Sequence, residues 1–159
     1  MDFSSFFDYP GSDRKGESAE YEFLPAWSTR DWDKLLNLTQ TQLHRPGDIV
    51  IRAGDTERAL YILIYGTLEV LVPVGGSLVP LATIPERSVV GEQTFLDGKP
   101  RSATIRAATD SQTLYLSFTA FETFHARQPE LAYLFILDLA RILSLRFRQR
   151  TALMSQWRP

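Results

Sequence analysis

Seven short strand-like runs fill the middle of the chain and limit the folds that it can adopt. Between Thr41 and Ser117, β-branched and aromatic residues cluster in runs of two to eight residues. Turn residues such as Pro46-Gly47-Asp48 and Gly75-Gly76 separate these runs. The runs are Ile49–Ile51, Ala59–Tyr65, Thr67–Val74, Leu78–Ile84, Val89–Val90, Ser102–Ala107 and Gln112–Leu116. Many short strands at near-regular spacing predict a β-sandwich or jelly-roll barrel.

Helical patterns flank the strand region on both sides. Ser28 or Thr29 is a suitable N-cap for a short amphipathic helix that ends near Leu38. A second short helix is predicted to begin at about Phe118. The last helix is predicted from Gln128 to roughly Arg150, with Pro129 at its first position, where proline's missing N–H is not needed. A helix, a β-barrel and a helix pair are therefore expected in one domain, residues 29–152.

The two ends of the chain are predicted to lie outside this domain. Residues 1–28 are poor in aliphatic side chains, which is typical of a flexible lead. Their scattered aromatic residues could form a docking peptide or simply pack on the nearest exposed face of the domain. Residues 153–159 are expected to form a C-terminal tail.

Composition excludes several classes of protein. The net charge is -2, with 17 basic and 19 acidic residues, so the composition does not predict nucleic-acid binding. Cysteine is absent, and His44 and His125 lie far apart, so neither a thiolate metal site nor a histidine metal site is expected. No signal peptide and no apolar run of about 20 residues is present, which predicts a cytoplasmic protein without a membrane segment.

The segment Gly91–Ala103, GEQTFLDGKPRSA, places binding chemistry in a short stretch. Glu92 supplies a carboxylate, and the turn that follows it offers free backbone N–H groups. Arg101 supplies a planar fork of donors that can hold two oxygens of a phosphate at once. Alternatively, Glu92 and Arg101 could simply pair with each other across the turn.

This segment resembles the phosphate-binding cassette of the cyclic-nucleotide-binding domain family. Pro46-Gly47-Asp48 followed by Gly54-Asp55 is similar to the family's early turn pair, and Leu60–Leu63 followed by Gly66 is similar to its central hairpin. Residues Leu139–Leu143 resemble the last helix of the bacterial catabolite-activator branch. The resemblance covers about residues 30–150 and implies a β jelly-roll barrel with an N-terminal helix and a C-terminal helix pair.

The resemblance also implies roles for individual residues. Arg101 and Ser102 match the phosphate-binding pair, and Glu92 matches the residue that accepts a hydrogen bond from the ribose 2′-hydroxyl. The sequence departs from the family pattern at Gln93 and Thr94, although backbone amides make many of the contacts at those positions. The predicted ligand-binding residues are Gly91, Glu92, Gln93, Thr94, Arg101, Ser102, Ala103, Arg146 and Phe147.

The last two of these positions have two interpretations. Matching the last helix to that of the catabolite-activator branch places Arg146 and Phe147 where family members contact the base. Arg146 could stack on the base and Phe147 could cover it. Alternatively, Phe147 packs in a dimer seam and Arg146 is solvated.

The resemblance implies a sensor that is not an enzyme and needs no cofactor. The expected ligand is cyclic AMP, with cyclic GMP as the second choice. Nine residues follow Arg150, too few for a helix-turn-helix, so movement of the last helix is expected to reach a protein partner or a second copy. The alternative is a degenerate member that acts as an interaction module or binds a cyclic dinucleotide. An enzyme on the same barrel is disfavoured because no histidine cluster, nucleophilic cysteine or plausible triad is present.

Overall fold

The protein folds into two four-stranded antiparallel sheets with helices on one side, as seen in a computed structural model that describes residues 18–155. The first sheet has the order β1-β8-β3-β6 and the second has the order β2-β7-β4-β5. The strands are β1 Gln40–His44, β2 Ile49–Ile51, β3 Ala59–Tyr65, β4 Leu68–Val74, β5 Ser77–Ile84, β6 Val89–Val90, β7 Thr104–Ala107 and β8 Ser111–Ser117. The helices are α1 Thr29–Leu36, α2 Glu92–Asp97, α3 Phe118–Arg127 and α4 Pro129–Ser155. The predicted jelly-roll barrel with flanking helices is confirmed.

One strand was not predicted from the sequence. Strand β1, with the sequence QTQLH, lies at the edge of its sheet, and within the described part of the chain it pairs only with β8. An edge strand is partly solvated, so it can carry polar residues, and Leu43 is 72% exposed. Its composition therefore lacks the apolar pattern that marks the inner strands.

The first sheet contributes residues to two apolar clusters, one on each of its faces. Leu60 and Ile62 of β3 face the helices, where they join the same cluster as Leu116 and Phe135. The alternate residues of β3 belong to the cluster between the two sheets, together with Leu68, Val70 and Ile105. Because side chains alternate along a strand, β3 is buried on both faces, which explains its nearly continuous apolar sequence.

Helix α1 begins where the sequence predicted. Ser28 accepts a hydrogen bond from the Asp31 backbone N–H at 3.3 Å, and Asp31 accepts one from the Ser28 N–H at 3.0 Å. This reciprocal capping box satisfies two helix-end donors. The helix ends at Leu36, two residues before the predicted end.

The segment before α1 packs against the domain. Residues 20–27, here named the strap, lie along α4 and place Tyr21, Phe23 and Leu24 in the core. The sequence predicts a flexible lead over residues 1–28, whereas Tyr21, Phe23 and Leu24 within that range are buried, because their side chains complete the helix-side cluster. The predicted docking peptide within residues 1–17 lies outside the described residues.

Two side chains of α4 fasten the strap. Arg141 donates to the carbonyls of Glu20 and Glu22 at 2.6 and 2.8 Å, and its Nε contacts Asp138 at 2.6 Å. Asp138 accepts in turn from the Leu24 backbone N–H at 2.7 Å. The pair therefore satisfies backbone groups of a segment more than a hundred residues away in sequence.

Helix α4 continues to Ser155, three residues beyond the predicted domain end. Neither this helix nor any other between residues 18 and 155 is both long and apolar enough to cross a membrane.

Candidate functional site

Gly91 forms the turn between β6 and α2 and allows a close approach of backbone and side chain. Its φ is +80°, a left-handed conformation that favours glycine. A Cβ atom built here would lie 2.6 Å from Nη1 of Arg101 and 3.1 Å from the carbonyl oxygen of Ala59. Only glycine therefore lets Arg101 reach this turn.

Arg101 is the buried cation of the site, with 6% of its surface exposed. Its Nη1 donates to the Gly91 carbonyl at 2.9 Å, and its backbone N–H donates to the Asp55 carbonyl at 2.7 Å. Its Nη2 is buried and has no hydrogen-bond partner among residues 18–155. A buried charged donor without an acceptor is costly, so the arrangement favours an anion beside Nη2.

The surroundings of Arg101 shift the pKa of its guanidinium in opposite directions. Burial lowers the pKa of the guanidinium, while the nearby Tyr61 and Glu57 raise it. Tyr115, which donates to Glu57 at 2.8 Å, has its own pKa raised to about 12 by burial and by this hydrogen bond. An arginine remains protonated in proteins, so the positive charge persists beside these neutral and acidic groups.

Seven of the nine predicted ligand-binding residues line one cavity. These are Gly91, Glu92, Gln93, Thr94, Arg101, Ser102 and Ala103, joined by the apolar residues Ile51, Val90 and Ile105. Inside the segment, the Ser102 hydroxyl donates to Oε1 of Gln93 at 2.9 Å. The cavity volume is about 30 Å³, well below the roughly 300–1,000 Å³ of typical ligand pockets. In this conformation the cavity is therefore too small for a nucleotide.

The carboxylate of Glu92 pairs with Arg146 rather than with Arg101. Nη1 of Arg146 lies 2.6 Å from Oε1 of Glu92, and Nη2 donates to the Val89 carbonyl at 2.8 Å. Glu92 and Arg146 are 3% and 8% exposed. A buried ion pair loses much stability when one partner is removed. The contact therefore ties the end of α4 to the start of α2.

Sequence reasoning placed Arg146 near the ligand but missed this partner. The sequence contains a pattern that places Arg146 on the buried face of α4. Along this helix, the buried residues follow one another at spacings of three and four: Phe135, Leu139, Ile142 and Arg146. An arginine on that face needs a buried acceptor. The neighbouring Phe147 is 71% exposed and does not line the cavity, and a base contact for either residue stays a prediction.

Arg58 does not line the cavity, but it holds the end of α2, a role that the sequence did not indicate. Its Nε and Nη2 donate to the carbonyls of Phe95 and Leu96 at 2.8 and 2.9 Å, at the end of α2. Its guanidinium lies 3.5 Å from the ring centre of Phe118, the first residue of α3. Arg58 thus joins the end of α2 to the helix pair.

No cluster of three or more histidine, cysteine, aspartate or glutamate side chains suited to a metal ion occurs within residues 18–155. The polar groups of the cavity are instead an arginine, a carboxylate, two hydroxyls and an amide, which suit an anionic ligand with hydroxyl groups.

The chain is similar in sequence to known proteins. The sequence model of the cyclic nucleotide-binding domain matches residues 41–128. The chain is 30% identical over 144 residues to Glutaminase 2 of Bradyrhizobium diazoefficiens, covering 91% of this chain and 22% of that protein. It is 29% identical over 118 residues to the Cyclic AMP receptor protein of Thermus thermophilus, covering 74% of this chain and 53% of that protein. The chain therefore spans only part of each of these relatives.

Solved structures agree in fold. A cyclic nucleotide-binding domain from Methylobacillus flagellatus has a TM-score of 0.75 at 20% identity and covers 91% of this chain and 86% of that one. The catabolite activator protein of Thermus thermophilus has a TM-score of 0.70 at 26% identity and covers 83% and 61%. With the cavity, the buried arginine and the matched segment in place, the chain belongs to the cyclic nucleotide-binding domain family.

Proposed function

We propose that this protein is a cyclic-nucleotide sensor whose ligand is cyclic AMP. The observation that carries the proposal is Nη2 of Arg101, a residue that lines the cavity. This atom is buried and charged and has no acceptor among residues 18–155. The phosphate of a cyclic nucleotide supplies that acceptor. The name of the Thermus thermophilus relative supports cyclic AMP over cyclic GMP.

The remaining ligand contacts follow from the same cavity. Ser102 can turn its hydroxyl from Gln93 to a phosphate oxygen, because Ser102 is exposed and the hydrogen bond is readily exchanged. Backbone N–H groups at Gln93 and Thr94 lie in the first turn of α2, where no intrahelical acceptor exists for them. Glu92 is the proposed acceptor for the ribose 2′-hydroxyl.

We further propose that the ribose competes with Arg146 for Glu92. Both need the same buried carboxylate, and the cavity of about 30 Å³ must widen before a nucleotide can enter. Loss of the ion pair would release α4 from the start of α2. Movement of this last helix is the proposed relay to a protein partner or a second copy.

A second candidate function is a module that binds no nucleotide and acts through protein contacts. The small cavity and the Glu92–Arg146 ion pair favour it, since the pair satisfies the carboxylate without any ligand. The buried Nη2 of Arg101, which lacks an acceptor among residues 18–155, argues against it.

Calorimetric titration of cyclic AMP, cyclic GMP and a cyclic dinucleotide tests the proposal. We expect saturable binding of cyclic AMP to the wild type. Arg101→Gln should weaken that binding by about a hundredfold or more, since charge-assisted hydrogen bonds contribute about 1.5–3 kcal/mol each. The matched control is Arg127→Gln, which removes an exposed arginine on α3 and should leave the affinity unchanged.

Three outcomes would contradict the proposal in different ways. No heat with any nucleotide favours the interaction module. Binding of the dinucleotide alone changes the ligand class. Equal affinities of wild type and Arg101→Gln would show that the phosphate is not held in this cavity.

A further inference from the structure

The end of α2 is capped by a side chain from outside the helix. Arg58 immediately precedes β3, an inner strand of the first sheet, and donates to the carbonyls of Phe95 and Leu96 at 2.8 and 2.9 Å. Carbonyls in the last turn of a helix lack the intrahelical donors that earlier carbonyls have. The positive charge of Arg58 also suits the negative end of the helix dipole.

The loop that follows α2 cannot supply these donors itself. The N–H of Lys99, four residues after Phe95, donates instead to Oδ1 of Asp97 at 2.9 Å. The residue four positions after Leu96 is Pro100, which has no N–H. Both carbonyls therefore need a donor from another part of the chain, and Arg58 provides one for each.

Strand pairing and an aromatic ring hold Arg58 in place. Ala59 pairs with Ser117 between β3 and β8, which places Arg58 beside Phe118. The Phe118 N–H donates to the Arg58 carbonyl at 2.9 Å, and the guanidinium lies 3.5 Å from the centre of the Phe118 ring. The same ring packs edge-on against Phe95, with ring centres 5.3 Å apart. The guanidinium is thus fixed between the first sheet, α2 and the start of α3.

The other end of α2 forms a wall of the cavity through Glu92, Gln93 and Thr94. A helix of six residues is not stable on its own in water, so the position of this wall depends on contacts from outside α2. We propose that Arg58 is a positioning residue for the ligand, because it fixes the end of α2 to the first sheet and so keeps this wall where the nucleotide binds. The inference rests on the proposed function.

Calorimetric titration with cyclic AMP tests this role in two variants of Arg58. We expect Arg58→Gln to weaken binding about tenfold, because α2 then holds the binding position for a smaller fraction of the time. Arg58→Lys should weaken binding by about threefold or more, since an ammonium keeps the charge but lacks the planar fork that reaches both carbonyls while stacked on the ring. Arg127→Gln, which replaces an exposed arginine on α3, is the control and should leave the affinity unchanged.

Hydrogen exchange without nucleotide measures the hold on α2 directly. The amides of Phe95 and Gly98 donate to the carbonyls of Gly91 and Thr94 at 3.2 and 2.9 Å. We expect both amides to exchange about tenfold faster in Arg58→Gln. The Leu63 amide of β3, which donates to a backbone carbonyl at 2.9 Å, should keep its rate. A general loss of stability would instead quicken exchange at all three amides.

Three results would overturn the positioning role. These are equal affinities of wild type and Arg58→Gln, unchanged exchange at Phe95 and Gly98, and full affinity in Arg58→Lys, which would mean that the arginine acts through its charge alone. A wild type that binds no nucleotide would contradict the proposed ligand instead. The exchange rates, which need no nucleotide, would then decide alone whether Arg58 holds α2.

Discussion

Two buried arginines contribute to the site around the segment Gly91–Ala103, one from within the segment and one from α4. Arg101 belongs to the segment and keeps one donor without an acceptor among residues 18–155. Arg146 comes from α4 and uses its donors on Glu92 and Val89. One guanidinium thus keeps a donor that an anion could use, while the other pairs with the carboxylate that we propose as the acceptor for the ribose.

Replacing Arg146 tests this competition at the residue scale. We expect Arg146→Gln to raise the affinity for cyclic AMP about tenfold, because the shorter, neutral amide would compete for Glu92 with a weaker hydrogen bond. Titration calorimetry measures the change. Arg148→Gln, which replaces an exposed arginine on the same helix, is the control and should leave the affinity unchanged.

A fall in affinity on the same substitution would contradict the competition. It would mean that Arg146 contacts the ligand directly, as the comparison with the last helix of the catabolite-activator branch predicts. Equal affinities would mean that the ion pair persists in the bound state.

The grouping of the site residues was predictable where it depends on local sequence. Gly91, Glu92, Arg101 and Ser102 lie within twelve positions, so the turn geometry alone brings them together. The partner of Glu92 was not predictable in this way. Arg146 is 54 positions away from Glu92 in sequence, and its place beside Glu92 depends on how α4 packs against the first sheet.

At the scale of elements, hydrogen bonds with α4 side chains hold the strap against this helix. Arg141 and Asp138 bind backbone groups of the strap, and the strap residue Glu22 forms an ion pair with Arg87 at 3.0 Å. The strap therefore connects the last helix to the turn between β5 and β6. The strap is short, and the apolar residues in it do not recur at the spacing of a helix or a strand, so its packing could not be predicted from the sequence.

Removing the Arg141 side chain should loosen the strap. We expect Arg141→Ala to lower the free energy of unfolding by about 2 kcal/mol, because the carbonyls of Glu20 and Glu22 lose a charged donor. Urea denaturation measures the loss, and hydrogen exchange should quicken at the Leu24 amide. Arg148→Ala is the control. Unchanged exchange at Leu24 would show that Asp138 alone holds the strap.

The inner strands were predictable because apolar and β-branched residues concentrate in them. The edge strand β1 was not, since one side of it faces solvent and its residues are mostly polar. The start of β7 and the end of α1 also differ from the predicted ones by two residues, because turn and cap geometry decides where pairing begins and ends.

At the scale of the whole molecule, the first sheet belongs to two apolar clusters at once. Leu63 lies between the sheets, whereas Leu139 packs on the helix side, and both are fully buried. Since β3 contributes to both clusters, loss of one should expose part of the other.

This shared sheet predicts a single unfolding transition. We expect Leu63→Ala and Leu139→Ala each to lower the free energy of unfolding by about 2–5 kcal/mol. Both should shift the same urea transition, followed by fluorescence and by far-ultraviolet circular dichroism. Two separate transitions in either variant would show that the helix side melts independently of the barrel.

The fastening of the strap to α4 decides where a reporter should be attached. A fluorophore coupled at position 20 would travel with the last helix, because Arg141 holds that backbone from α4. A second fluorophore on the β4–β5 turn at Gly75 would stay with the barrel. The distance between the two dyes would then report helix displacement in solution, with neither dye attached to a residue that lines the cavity.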